Sequence, residues 1–368
     1  MSDYYLDLAT EVDDVELRQL SSSIVMPGDI ELTFQREPSF FKALECEGEW
    51  RQVVLMRERD ENQLVGFGVR SIQSRYVAGS PVPVGYLSSL RLKPDHRGRG
   101  LVRRGYRYLH QLHQDARTPF YLATIARGND IAERLLTAKL KDMPRYHPLG
   151  SYYTLAVPVR RYRKKLPCSE LEVRPGERAD SEKLVRFLNE EGAKKLFSDH
   201  HGTGSIFDKK KFHGLAVSDV LLGFRRGELV AVLAGWDQHD YRQVIVHRYN
   251  GTLARWRSLY GIYQKIRREH RLPEEGQAFR YRLGALCHIK NQDENYFRVL
   301  LEHQLRLSSR GPYHYFMLGM HETDALLRVA RSYAAVEYET RLYVVNWADA
   351  PEILAHTAEP IYLELGCL

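Results

Sequence analysis

The residues best suited to chemistry are Arg97, Gly98, Arg99 and Gly100, which stand between a strand-like run and an amphipathic helical pattern. The run covers Val84 to Leu92 and alternates over Leu90, Arg91 and Leu92. At Lys93-Pro94-Asp95 the proline removes a donor and turns the chain. Past the glycines, Leu101, Gly105, Tyr108, Leu109 and Leu112 recur on one face at helical spacing. A strand, a glycine turn and a helix opening straight out of that turn make an anion site. The unpaired N–H groups of the first helical turn converge, the helix dipole favours negative charge, and glycine lets a pyrophosphate approach the backbone. One dipole contact contributes only about 0.3–1 kcal/mol, so several N–H groups and nearby arginines must act together.

The order L-x-L-x-P-x-x-R-G-x-G, followed by an apolar residue and a helix, resembles the acyl-CoA-binding motif of the GNAT superfamily of CoA-dependent N-acyltransferases. That family has Arg or Gln, two residues, Gly, one residue, then Gly or Ala. Arg97, Gly100 and Val102 fill these places, and valine departs from the pattern: it keeps an N–H to give but crowds the turn. The resemblance implies cofactor contacts from Leu90, Leu92, Arg97, Gly98, Arg99, Gly100, Leu101, Val102 and, towards the pantetheine arm, Asn129. Read from its own position, Asn129 is equally a helix N-cap.

The resemblance also implies a reaction, direct attack of an amine on the acyl thioester. A carboxylate near the fourth strand takes the amine's proton, a strand N–H polarises the carbonyl, and a tyrosine protonates the departing thiolate. The chain departs from this twice. The tyrosine place falls on Leu136, and the carboxylate positions of the strand hold Ser88 and Ser89. Tyr146 is the expected substitute acid, because it follows the helix after Asn129 and precedes the closing strand; Tyr86, Tyr152 and Tyr153 are further candidates among 23 tyrosines. In the second half Tyr333 lies where the family tyrosine would be. No metal is expected, since His200-His201, His213, His239 and His247 lack the i,i+4 or Cys-x-x-Cys spacing of a metal site.

These groups need a scaffold, and 368 residues suggest two domains. Hydrophobic residues at 43% and charged ones at 27% describe a globular protein rather than a disordered or spanning one. No apolar run reaches eighteen residues, and the acidic start MSDYYLDLATEVDD has no signal core. Cys46, Cys168, Cys287 and Cys367 are scattered, which fits a reducing cytoplasm rather than a disulfide framework. The net charge of +7 favours anionic ligands but is too dilute to indicate nucleic acid.

In chain order the spacing predicts a strand at Tyr5–Thr10, helices near Asp13–Leu20 and Phe40–Cys46, and a hairpin of Gln52–Met56 with Gln63–Gln73. Arg75–Pro83 reads as a loop. After the glycine turn and its helix come a strand at Phe120–Ile125, a helix at Asp130–Lys139 and a strand at Tyr152–Val159. The basic run 161–169 reads as a linker between domains 1–160 and 170–368. The second half repeats the order of elements without repeating the sequence, with a long basic helix at Leu253–His270 added. It resembles a tandem GNAT arrangement. The counterpart of the glycine turn is Lys290-Asn291-Gln292-Asp293-Glu294, where carboxylates stand at the helix start and would repel a phosphate.

The expectation is therefore an α/β protein of two tandem GNAT-like domains, each a mixed, mostly antiparallel sheet flanked by helices. The second domain is degenerate, and a homodimer is compatible with its role. The resemblance implies an N-acyltransferase using acetyl-CoA or another acyl-CoA as co-substrate, with a small-molecule or peptide amine as acceptor. Two rival readings are an aminoacyl-tRNA-dependent transferase, which does not need the glycine turn, and a non-catalytic acyl-CoA-binding protein.

Overall fold

The structure, a computed structural model, describes residues 3–26, 28–160, 170–202, 204, 206–208, 210–251, 272–334, 336–347 and 359–368. The basic run 161–169 and the helix expected at Leu253–His270 lie outside the described residues. The first half runs β1 (Tyr4–Leu8), α1 (Asp14–Ser23), β2 (Ile30–Gln35), α2 (Phe40–Leu44), β3 (Trp50–Glu58), β4 (Leu64–Val77) and β5 (Ser80–Leu92). It continues through α3 (Leu101–His113), β6 (Tyr121–Ala126), α4 (Asp130–Thr137) and β7 (Arg145–Pro158). The second half holds β8 (Glu172–Pro175), α5 (Ser181–Gly192), β9 (Val220–Arg225), β10 (Glu228–Trp236), β11 (Gln243–Tyr249) and β12 (Tyr281–Ile289). It closes with α6 (Glu294–Ser308), β13 (Tyr315–His321), α7 (Leu327–Arg331) and β14 (Val336–Asn346).

Twelve strands form one sheet in the order β1-β3-β4-β5-β6-β14-β7-β13-β12-β10-β9-β8. The order reads as a palindrome of the two halves, with the final strands exchanged at the centre. β14 of the second half pairs with β6 of the first over Thr340–Val345, and β7 of the first pairs with β13 of the second over Tyr152–Pro158. The α/β class is as expected, and the two halves repeat one order of elements, but their sheets are fused rather than separate. Among the named strands of the described residues, only β5–β6 and β12–β13 are parallel pairs. A small second sheet, β2 with β11, joins the halves across one face.

The Arg75–Pro83 segment is not a loop. β4 and β5 run to a two-residue turn at Ala78 and Gly79, both with positive φ (49° and 74°) as a tight hairpin requires. Pro81 and Pro83 obscure the strand in the sequence. They are tolerated because β5 meets β6 only from Gly85 onward, so their missing N–H groups cost no ladder bond on that side.

Helices cover both faces. α1 and α2 bury Leu17, Leu20, Phe40 and Leu44 against Val53, Leu55, Phe67 and Val69 on one face. On the other, α3 and α4 bury Tyr106, Leu109 and Leu136 against Tyr121, Ala123, Ile125 and Tyr343. Burying one such side chain is worth about 1.5–3 kcal/mol, so these contacts hold the helices on the sheet. Cys46, Cys287 and Cys367 are buried and unpaired. Among the described residues no helix is long and apolar enough to cross a membrane.

Candidate active site

β5 and β6 pair only from Gly85–Tyr121 to Leu87–Ala123, then part, although β5 continues to Leu92 and β6 to Ala126. The cause is a bulge. Phe67 pairs with Arg91 and Val69 with Ser88, so Gly68 alone faces both Ser89 and Leu90, and Ser89 adopts φ 55°. Such a bulge bends its strand, here away from β6. The closed end is tight: a Cβ on Gly85 would lie 2.2 Å from the Tyr121 ring.

The glycine turn follows the free end of β5. Gly98 and Gly100 take φ of 75° and 71°, and Gly100 starts α3 without any side-chain cap. A Cβ at either glycine would meet no atom within 4 Å, so it is the left-handed backbone, not crowding, that demands glycine. The turn is pinned from beneath. Arg99 Nη1 donates to the Tyr4 hydroxyl at 2.6 Å and Arg104 Nη2 to the Tyr4 carbonyl at 2.7 Å. Leu101 is buried with Tyr4, Met56 and Val65, and Leu90 and Leu92 pack onto the same cluster. Val102 packs on the α3–α4 cluster instead, and Arg97 is exposed.

The residues expected at a cofactor site from Leu90 to Val102 are thus gathered at the open end of β5. Asn129 stands on the opposite lip. Its N–H bonds to the Ala126 carbonyl at the end of β6, and its Oδ1 accepts from Ala132 N at 3.2 Å as the N-cap of α4.

Tyr146 is elsewhere. Through Val345 of β14 it is level with Tyr121, at the closed end of the split. Its hydroxyl shares a hydrogen bond with Tyr106, and burial lifts its pKa well above the usual phenol value. With Glu133, Thr137 and Tyr343 it lines a cavity of about 380 Å³ beside α4. The register thus puts Tyr146, the expected substitute acid, at the closed end, because the chain between α4 and β7 returns there. An exposed tyrosine near the mouth is Tyr338, two residues before Thr340, which pairs with the last residue of β6. It is 46% exposed; partial burial raises its pKa, with Arg91 opposing.

The carboxylate absent from β5 arrives from another element. Ser88 Oγ donates to Glu47 Oε2 at 2.6 Å, and Glu47, after α2, is fully buried. Its other oxygen receives Arg242 Nη2 at 2.5 Å and Arg36 Nη2 at 3.3 Å. No local spacing near the glycine turn points to Glu47; only the approach of α2 to the bulge does.

The second half repeats the split and fills it. β12 and β13 pair over Tyr281–Leu283 with Tyr315–Met317 and then part, with Leu286 at φ 52° in the place of Ser89. Here Leu286 N donates to Glu364 Oε2 at 2.8 Å and Cys287 N to the Tyr362 hydroxyl at 3.0 Å. The helix start is closed as well, since Asp293 accepts from Asn295 N at 2.8 Å and Tyr296 N at 3.1 Å. The acidic turn expected to repel a phosphate is thus capped by its own Asp293.

Comparison with known proteins agrees with this geometry. Residues 25–140 match the Acetyltransferase (GNAT) family. A search of curated proteins gives no match. Among solved structures, Saccharomyces cerevisiae N-myristoyltransferase with bound myristoyl-CoA is similar at 12% identity and a TM-score of 0.61, over 99% of this chain and 90% of that one. A GCN5-related N-acetyltransferase from Sphaerobacter thermophilus is similar at 11% identity and a TM-score of 0.53, over 100% of this chain and 99% of that one. At these identities the likeness speaks for the fold alone. The family match covers the very residues that form the open split and its turn, and the likeness to these solved structures extends one fold over both halves of the chain.

Proposed function

We propose that the protein transfers an acyl group, acetyl by default, from CoA to the amine of a small molecule or peptide in the cytoplasm. One observation carries this reading: the first half keeps an open strand split beside an uncapped glycine turn, and the second half closes both. The N–H groups of Leu101, Val102 and Arg103 would hold the pyrophosphate, with Arg97 at its side. The lips formed by β5 and β6 would take the pantetheine arm and bring the thioester to the bulge. An N–H of β5 near Ser89 would polarise the carbonyl, worth about 2.7–4 kcal/mol for one well-placed donor.

The amine would approach from the face that carries Ser88 and Glu47. Glu47 is held by two arginines and a serine, so it orients groups, and the amine gives its proton to water before it attacks. Tyr338 is the candidate acid for the thiolate. A thiol of pKa near 8.5 leaves readily, so this help is an acceleration and not a requirement.

A second reading, acyl-CoA binding without turnover, draws on the same saturation of Glu47. The two separate in one experiment. Acetyl-CoA at about a hundred times its Kd should add roughly 2.7 kcal/mol of stability, and thiol release is then followed over a panel of amines. Binding with release supports the transferase; binding without release for any amine supports the second reading; no binding contradicts both.

A further inference from the structure

The face opposite α3 and α4 carries an excess of buried positive charge beside the split. The last pair of the β2–β11 ladder is Gln35 with Gln243, so the next residues, Arg36 and Arg242, stand opposite each other at its end. Like charges directly opposite on a ladder are destabilising. Glu47 compensates only one of them. Arg242 is fully engaged: Nη2 on Glu47, Nε on the Ala43 carbonyl at 3.1 Å, and Nη1 on the Gly366 and Leu368 carbonyls at 3.3 and 3.2 Å.

Arg36 is not. Its Nη2 reaches Ser89 Oγ at 3.0 Å and Glu47, its guanidinium lies 5.3 Å from the Phe40 ring centre, and its Nη1 is shut off from solvent without a hydrogen-bond partner. Arg91, on β5 itself, donates to the Leu90 carbonyl and has no ion pair among the described residues. Two arginines thus share one carboxylate, and Arg91 adds a third positive charge near Arg36. Burial, with Arg242 and Arg91 nearby, pulls the Arg36 pKa down to about 10, which still leaves it charged at neutral pH. A buried guanidinium with an unpaired N–H is costly unless an anion completes it.

We propose that the acceptor of this protein is an amine that carries a carboxylate, and that the Arg36 guanidinium binds this carboxylate beside the Ser88–Ser89 bulge. The proposal rests on the acyl-transfer reading. The CoA phosphates do not account for the charge, because Arg36 contacts the strand at Ser89 whereas the phosphate turn lies beyond the end of β5 at Gly98–Gly100. An arginine suits a carboxylate because its planar fork can present two parallel donors. Arg36 is a specificity residue here, and Glu47 and Phe40 hold it in position.

The test uses the full chain with acetyl-CoA and α-amino acids paired with their own amides. The free acids should be acetylated with kcat/KM at least tenfold above the amides. Arg36→Met should bring that ratio close to one, Arg36→Lys should restore part of it, and acetyl-CoA affinity should stay within twofold in both. A wild-type ratio near one, or an Arg36→Met loss shared equally by acids and amides, overturns the proposal. A second arm compares succinyl-CoA with acetyl-CoA on a neutral amine. An Arg36-dependent preference for the succinyl donor would place the anion on the acyl group and overturn the acceptor assignment. Calorimetric titration with N-acetylglycine against N-acetylglycinamide, with and without CoA, covers the case in which no amine turns over. Selective binding of the acid, lost in Arg36→Met, supports the proposal; equal or absent binding overturns it, while acetyl-CoA binding measured alongside tells whether the acyl-CoA reading still stands.

Discussion

The two halves of the sheet contain the same device in two conditions. Each has a parallel strand pair that opens at a left-handed bulge residue, Ser89 in one and Leu286 in the other, and a helix that starts where the bulged strand ends. In the first half the helix start is framed by Gly98 and Gly100 and lacks a side-chain cap. In the second, Asp293 caps the helix, while Glu364 and Tyr362 bond the backbone of the bulge. The difference teaches that the fold supplies the cleft and a few side chains decide whether it can receive a ligand. A carboxylate at the helix start serves the fold in one half, and its absence leaves donors for a phosphate in the other.

The largest effect should follow from making the first half resemble the second. Gly100→Glu places a carboxylate at the uncapped helix start and should lower acetyl-CoA affinity by at least a hundredfold in calorimetry. Gly100→Ala, which strains the left-handed backbone by about 1–2 kcal/mol without adding charge, should lose much less. Retained affinity in the glutamate variant would break the comparison.

The next effect concerns the mouth against the closed end. Tyr338→Phe should lower kcat at least tenfold with acetyl-CoA affinity unchanged, since general acid help is typically about 10²–10⁴-fold. Tyr146→Phe should change kcat less than threefold. The reverse ranking would show that the register places the wrong tyrosine at the reacting atoms.

A third prediction concerns the plug in the second split. Burial, opposed by its bond from Leu286 N, raises the Glu364 pKa to about 7. A carboxyl whose folded pKa exceeds its unfolded value of about 4.3 favours folding below that value, and this contribution is lost as pH rises through 7. Stability should therefore fall between about pH 4 and 7, by up to about 3 kcal/mol from this group, and level off above that. Glu364→Gln should flatten that slope in thermal melts; an unchanged slope would remove Glu364 from the account.

The smallest effect belongs to the second turn. Asp293→Ala should cost about 0.5–2 kcal/mol of stability as a lost cap, and acetyl-CoA affinity should stay within twofold. A tenfold change in that affinity would mean that the second half completes a cofactor site.

Much of this was legible before folding. The glycine turn, the repeat of elements and the acidic counterpart turn are local patterns, and local patterns survive translation into structure. What could not be read is carried by long-range pairing. β2 has a plain alternation in Ile30, Leu32 and Phe34, yet its partner is β11, some two hundred residues on, and so the meeting of Arg36 with Arg242 leaves no local trace. Glu47 and Glu364 are single acidic residues whose importance comes only from what packs over them. The place of Tyr146 is hidden for a similar reason: β14 enters between β6 and β7, and the exchanged strand sets the register that carries Tyr146 to the closed end.

Stoichiometry tests the central claim most directly. Isothermal titration of the full chain with acetyl-CoA should give one site per chain, abolished in Gly100→Glu and preserved in Asp293→Ala. Two sites per chain, or one site that survives Gly100→Glu, would contradict the account.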